Sequence, residues 1–184
     1  MMDVATRLLE PILVMQAQLG NTAAFSHLVS GHHASLRYYV RRIVGGSNET
    51  EDVVQEVWLA VHRQLRRLDD PTRFSVWLYR IARNQAYLAL RKSPRYMLEE
   101  PAWEELATGP EPEFGPEDAA HIHTCLDRLG TAHREVLVLR FLEDLDYEQI
   151  AAVIGVPVGT VRSRLFYAKQ SLKREIERTN DERS

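Results

Sequence analysis

The sequence predicts an all-α protein built from two small helical domains joined by an acidic, proline-rich linker. Three observations carry this. Apolar residues recur at three- and four-residue spacing over most of the chain, and no segment alternates with period two for long enough to make a strand. Charge is segregated: residues 37–95 carry +6, residues 96–127 carry −9, and the flanking pieces nearly balance. Pro94, Pro101, Pro110, Pro112 and Pro116 crowd the acidic piece, which therefore cannot sustain a helix. The expected domains are residues 20–95 and 121–178. Around them lie an N-terminal helical extension (1–19), the linker (96–120) and a short tail (179–184).

Taken in order, residues 2–19 predict an amphipathic helix through Val4, Leu8, Ile12 and Met15. The next helix carries Phe25, Leu28, Val29, Leu36, Tyr39, Val40 and Ile43 and ends at Gly45-Gly46. Asn48 with Glu51 three residues on reads as a capping box for a helix that buries Val54, Trp58, Val61, Leu65 and Leu68. Asp70-Pro71-Thr72 turns the chain into a third helix, from about Arg73 to Lys92, with Phe74, Leu78, Ile81, Gln85 and Leu88 as its buried stripe. In the C-terminal piece, Asp146 and Gln149 cap a short helix, Gly155 supplies a turn, and a second helix begins near Pro157.

The net charge of −3 argues on its own against a polyanionic partner, but charges beyond a Debye length of about 10 Å are largely screened, so the local pattern decides. Within the final helix, Val161, Leu165, Ala168 and Leu172 share one side at about 100° per residue and must face the core. The other side presents Thr160, Arg162, Ser163, Arg164, Phe166, Tyr167 and Lys173, polar and aromatic groups for base edges flanked by cations for phosphates. A short helix, a glycine turn and such a face make a DNA-binding helix-turn-helix. The third helix shows Arg73, Arg80, Arg83, Asn84, Tyr87 and Arg91, a mixture that suits single-stranded DNA, where phosphates need charge and unstacked bases need flat partners. The helix before it leaves Asp52, Gln55, Glu56 and Leu59 outward, an apolar residue amid acids and an amide, which is a docking cue.

These segments carry a resemblance. DVVQEVWLAVHRQL, FSVWLYRIARNQAYLALRK and YEQIAAVIGVPVGTVRSRLFYAKQSL resemble regions two and four of bacterial RNA polymerase sigma factors, in order and with a linker between them. The closest likeness is to the extracytoplasmic-function (ECF) group. The resemblance implies a region 2 bundle and a region 4 helix-turn-helix, with core RNA polymerase and promoter DNA as partners in transcription initiation. It implies that Asp52, Gln55, Glu56 and Leu59 dock on the polymerase's largest subunit. It further implies that loop 66–73 and helix 74–92 hold the −10 strand, with Asn84 and Asp69–Arg73 accepting a flipped base, and that helix 158–174 reads the −35 duplex. Tyr167 stands where the family usually has an arginine, so one −35 contact differs. The acidic linker would thread the polymerase, and an anti-sigma factor is a further candidate partner.

Other chemistries find little support. His121, His123 and Cys125 scatter on a helix and lack a fourth ligand, and His32-His33 reads as a surface pair, so no metal and no cofactor is expected. No phosphate-binding loop, nucleophile elbow or dinucleotide fingerprint is present, so an enzyme is not expected. A lone Cys125, no secretion-like N-terminus and no apolar run near about 18 residues predict a cytoplasmic protein without membrane insertion. The alternative is a stand-alone helix-turn-helix transcriptional regulator, which should bind palindromic duplex as a dimer. The absence of a sensor segment or a clear dimerisation helix disfavours it.

Overall fold

The computed structural model describes residues 4–45, 47–92 and 119–181. Every regular element among them is helical: α1 (Val4–Gln18), α2 (Thr22–Val44), α3 (Ser47–Gln64), α4 (Phe74–Lys92), α5 (Ala119–Leu126), α6 (Thr131–Phe141), α7 (Tyr147–Ile154) and α8 (Val158–Asp181). Two single 3₁₀ turns, Leu65–Arg67 and Pro71–Arg73, lie between α3 and α4. The linker expected at 96–120 lies almost wholly outside the described residues, as do the last three residues of the expected tail.

Local signals set the helix ends. Asn21 caps α2 by accepting from the Ala24 amide (3.0 Å), and Gly45 closes it at φ 81°, a backbone state that side chains resist. The capping box of α7 forms in full: Asp146 accepts from the Gln149 amide (2.7 Å), and the Gln149 side chain accepts from the Asp146 amide (2.9 Å). Gly155 ends α7 at φ 74°. Asn48, expected to cap α3, lies instead inside it, because the helix begins at Ser47. Helix α8 also outruns its expected end, since Ile176 and Thr179 remain buried and extend the apolar stripe.

In the N-terminal unit α1 packs on α2, α2 on α3 and α4, and α3 on α4. Tyr39 and Tyr79 meet edge to face at 5.2 Å within this interior, beside Leu36, Val57, Val61, Phe74 and Leu78. Helix α1 is more than an extension, for Val14 and Glu10 are buried in it. The expected stripe is displaced: Ile12 is 47% exposed and Met15 46%. His32 corrects the reading of a surface histidine pair. It is 3% exposed, with Nε2 2.6 Å from Glu10 Oε2 and its ring 5.4 Å from that of Phe74.

The C-terminal unit packs α5 and α6 on α8. Val136, Leu139, Ile150, Val161, Leu165 and Leu172 are buried in it. The Arg134 guanidinium donates to the carbonyls of Leu126, Asp127 and Leu129, satisfying groups that the end of α5 leaves open. Cys125 is buried, its Sγ 3.7 Å from Thr179 Oγ1. No single helix among the described residues is long and apolar enough to cross a membrane.

Candidate functional site

Three helix faces carry the residues that the sequence singles out as candidates. On α3, Val53, Val54, Val57 and Val61 are buried, which turns Asp52, Gln55, Glu56 and Leu59 to solvent. Leu59 is 40% exposed. Beside it runs a groove of about 650 Å³ between α2 and α3, lined by Phe25, Val29, Val54, Trp58 and Leu59 with the polar His33, Glu51, Gln55 and His62. Phe25 stands edge-on to Trp58 at 6.4 Å and to His62 at 5.2 Å. Their helical spacing predicts Phe25, Val29 and Trp58 in the core, whereas all three are half-buried and form this groove. Their spacing alone cannot distinguish a core from a groove wall.

On α4 the buried row is Phe74, Val76, Leu78, Tyr79, Ala82 and Ala86. This corrects the expected stripe. Ile81 and Gln85 are only half-buried, and Leu88 is 52% exposed. The reason is steric: Ala82 and Ala86 let the helix pack closely against its neighbours, and a wheel weighted by side-chain hydrophobicity underrates alanine. Arg80, Asn84 and Arg91 are exposed, as is Arg73 in the turn just before the helix. Arg83 and Tyr87 are half-buried, with the guanidinium carbon 4.5 Å from the ring centre. Leu88 shares the face of Asn84 and Arg91 and adds an apolar surface there, where its spacing predicts burial.

The segment before α4 is turned by Asp70. Its carboxylate accepts from the Thr72 amide (3.0 Å) and hydroxyl (2.6 Å). The Thr72 hydroxyl bond, then the amide bond, holds the Asp70 carboxyl below the usual carboxylate range.

On α8, Val161, Leu165, Ala168 and Leu172 are buried as expected. Arg162 and Lys173 are exposed, while Thr160, Ser163, Arg164, Phe166 and Tyr167 are half-buried. Ser163 donates its hydroxyl to the Thr160 carbonyl (3.0 Å), and the rings of Phe166 and Tyr167 meet edge to face at 5.6 Å. Tyr147, at the start of α7, brings its ring centre 6.0 Å from Arg162 and 5.9 Å from Arg140. That cluster was not foreseen, because Arg140 and Arg162 are 22 positions apart.

His133 on α6 is half-buried. Burial, and secondly the charge of Arg164, pushes its imidazole below the usual histidine range. The unfolded chain therefore takes up this proton at a higher pH than the folded chain. Stability should fall as pH drops below about 6.5, and the loss is complete once pH passes the lowered folded value. His133→Gln should remove that part of the slope. Urea midpoints of wild type and variant, compared from about pH 7.5 to about pH 5, check this. Parallel curves would mean that His133 contributes nothing.

Comparison with known proteins places the chain in a family. The model for sigma-70 region 2 matches residues 28–96, and that for sigma-70 region 4 matches residues 120–172. The ECF RNA polymerase sigma-E factor of Escherichia coli K12 is 32% identical over 187 aligned residues, covering 95% of this chain and 97% of that protein. The RNA polymerase sigma-H factor of Pseudomonas aeruginosa is 31% identical, covering 90% and 92%. Among solved structures, CnrH in complex with the cytosolic domain of CnrY is similar with a TM-score of 0.67 and 28% identity, covering 91% of this chain and 97% of that one.

Proposed function

The chain belongs to the ECF sigma factors, which direct core RNA polymerase to promoters in transcription initiation, and from that premise we propose how its three exposed faces divide the work. Helix α3 docks on core polymerase through Asp52, Gln55, Glu56 and Leu59. Segment 66–73 and α4 hold the separated −10 strand. Arg73, Arg80, Arg83 and Arg91 neutralise phosphates, Tyr87 offers a flat partner for a base, and Asn84 with the loop receives a flipped one. Helix α8 enters the −35 major groove with Arg162, Ser163 and Phe166 nearest the bases. Thr160, Arg164, Tyr167 and Lys173 lie along its sides.

The observation that supports this division is a contrast in exposed chemistry. The outward face of α3 combines acids, an amide and a leucine, which repels DNA and suits a protein surface, whereas the α4 face is cationic and aromatic. Each nucleic-acid face offers few contacts, so each binds weakly alone. Held together on polymerase, their contacts add through effective concentration. An anti-sigma factor is the further partner we propose, because a similar chain, CnrH, is held by the cytosolic domain of another protein.

The test is transcription by purified core polymerase, with and without this protein, on a promoter library with the transcripts sequenced. Shared −35 and −10 elements upstream of discrete starts are expected. Duplex binding by the free protein without such starts would favour a stand-alone regulator. Within the same assay Arg162→Ala should weaken −35-dependent initiation about tenfold and leave polymerase affinity unchanged. An unaltered response to −35 substitutions would remove Arg162 from base reading.

A further inference from the structure

We propose that α1 sets the shape of the loop that reads the −10 strand, with Gln18 as positioning residue at one end and Glu10 at the other. This rests on the assignment of segment 66–73 made above. Bonds within and at the ends of the segment include the Leu68 amide to the Leu65 carbonyl (3.1 Å), the Arg73 amide to the Asp70 carbonyl (3.0 Å), the Phe74 amide to the Pro71 carbonyl and the Asp70–Thr72 side-chain pair. Asp69, Asp70, Thr72 and Arg73 are exposed. A loop that must select one base by its hydrogen-bonding edge needs its own groups fixed beforehand, since reordering them on binding costs affinity for the right base and tolerates wrong ones.

Helix α1 adds restraint from outside the segment. The Gln18 side-chain amide donates to the Leu65 carbonyl (2.9 Å) and the Leu68 carbonyl (2.8 Å), committing both its hydrogens to the first 3₁₀ turn. Eight residues earlier, about 12 Å along the helix, the Glu10 carboxylate accepts from the Ser75 hydroxyl (3.1 and 3.2 Å), where the loop passes into α4. The same carboxylate meets the buried His32 of α2. One helix thus clasps the loop at both ends, and Asp69–Arg73 span the interval between the clasps. The sigma-70 region 2 match begins only at residue 28, so neither Gln18 nor Glu10 falls within it.

The experiment uses the full chain assembled with core polymerase. It measures initiation on promoters with each −10 position replaced in turn, beside a −35 series and core-binding affinity. Gln18→Glu keeps the size but loses the donors, and Gln18→Lys restores donors in a different chemical form. Gln18→Glu should reduce discrimination at the −10 bases about tenfold while −35 discrimination and core affinity hold, and Gln18→Lys should recover most of it. Thr72→Ala and Asp69→Ala, within the loop itself, separate the two ideas. If they alter −10 discrimination and Gln18→Glu does not, the clasp is wrong and the loop assignment stands. If neither they nor the Gln18 variants alter it, the loop assignment falls and the clasp with it. A joint drop in −10 selectivity, −35 selectivity and core affinity would reduce Gln18 to a purely structural residue and overturn the proposal.

Discussion

Leu59→Arg should abolish binding to core RNA polymerase, lowering affinity by about a hundredfold or more, while the protein stays folded. The fold should survive because Leu59 lies opposite the buried valines of α3, is 40% exposed, and arginine is nearly as good a helix former as leucine. The interface should not survive. An apolar side chain on a docking face, with Asp52, Gln55 and Glu56 on the preceding turns of the helix, is the arrangement in which one residue carries several kcal/mol once the interface excludes water around it. Arginine there removes the apolar contact and forces a charge into a desolvated site. Glu56→Arg reverses a charge on the same face and should also weaken binding, more so at low salt, because its contribution is electrostatic and screened. Fluorescence titration of labelled protein with core polymerase, beside thermal melts of each variant, decides the matter. Normal affinity in both folded variants would sink the docking assignment.

The largest stability effect is expected at the buried pair of Glu10 and His32. His32→Leu should destabilise the N-terminal unit by about 3–5 kcal/mol, because it leaves the buried carboxyl of Glu10 with the Ser75 hydroxyl as its remaining partner in this cluster. Glu10→Leu should cost a comparable amount by stranding the His32 ring nitrogen. The double variant should be much less damaged than the sum of the two, since leucines can fill the site and neither polar group is then left unpaired. Urea unfolding of the four proteins closes the cycle. Additive losses would mean that the two side chains do not depend on each other.

What could be read from the sequence was local. The helix types, the Gly45 and Gly155 ends and the Asp146–Gln149 box depend on residues within four positions of one another, and each formed where its physics operates, whereas the expected Asn48 cap lies inside α3. The buried stripe of α8 was legible for the same reason: its apolar residues are few, large and on one side. So were the exposed acids and Leu59 of α3, because the valines opposite them leave no other orientation. Helix α4 was not legible to this degree. It carries apolar residues on more than one side, and the wheel favoured Ile81 and Leu88 over the small Ala82 and Ala86 that its neighbours accept.

By itself, then, the sequence determined an all-helical chain, the helix-turn-helix, the segregation of cations from acids, and through its motifs a likeness to sigma factors. The tertiary structure decided the rest. It buried His32 against Glu10, opened a groove along Trp58, gathered Tyr147 with Arg140 and Arg162, and laid α1 across the loop between α3 and α4. The physical reason is the range of the interactions. Caps and periodicity act within a turn or two of helix, whereas Gln18 meets Leu65 across 47 residues and Glu10 meets Ser75 across 65, contacts that exist only once the helices have packed.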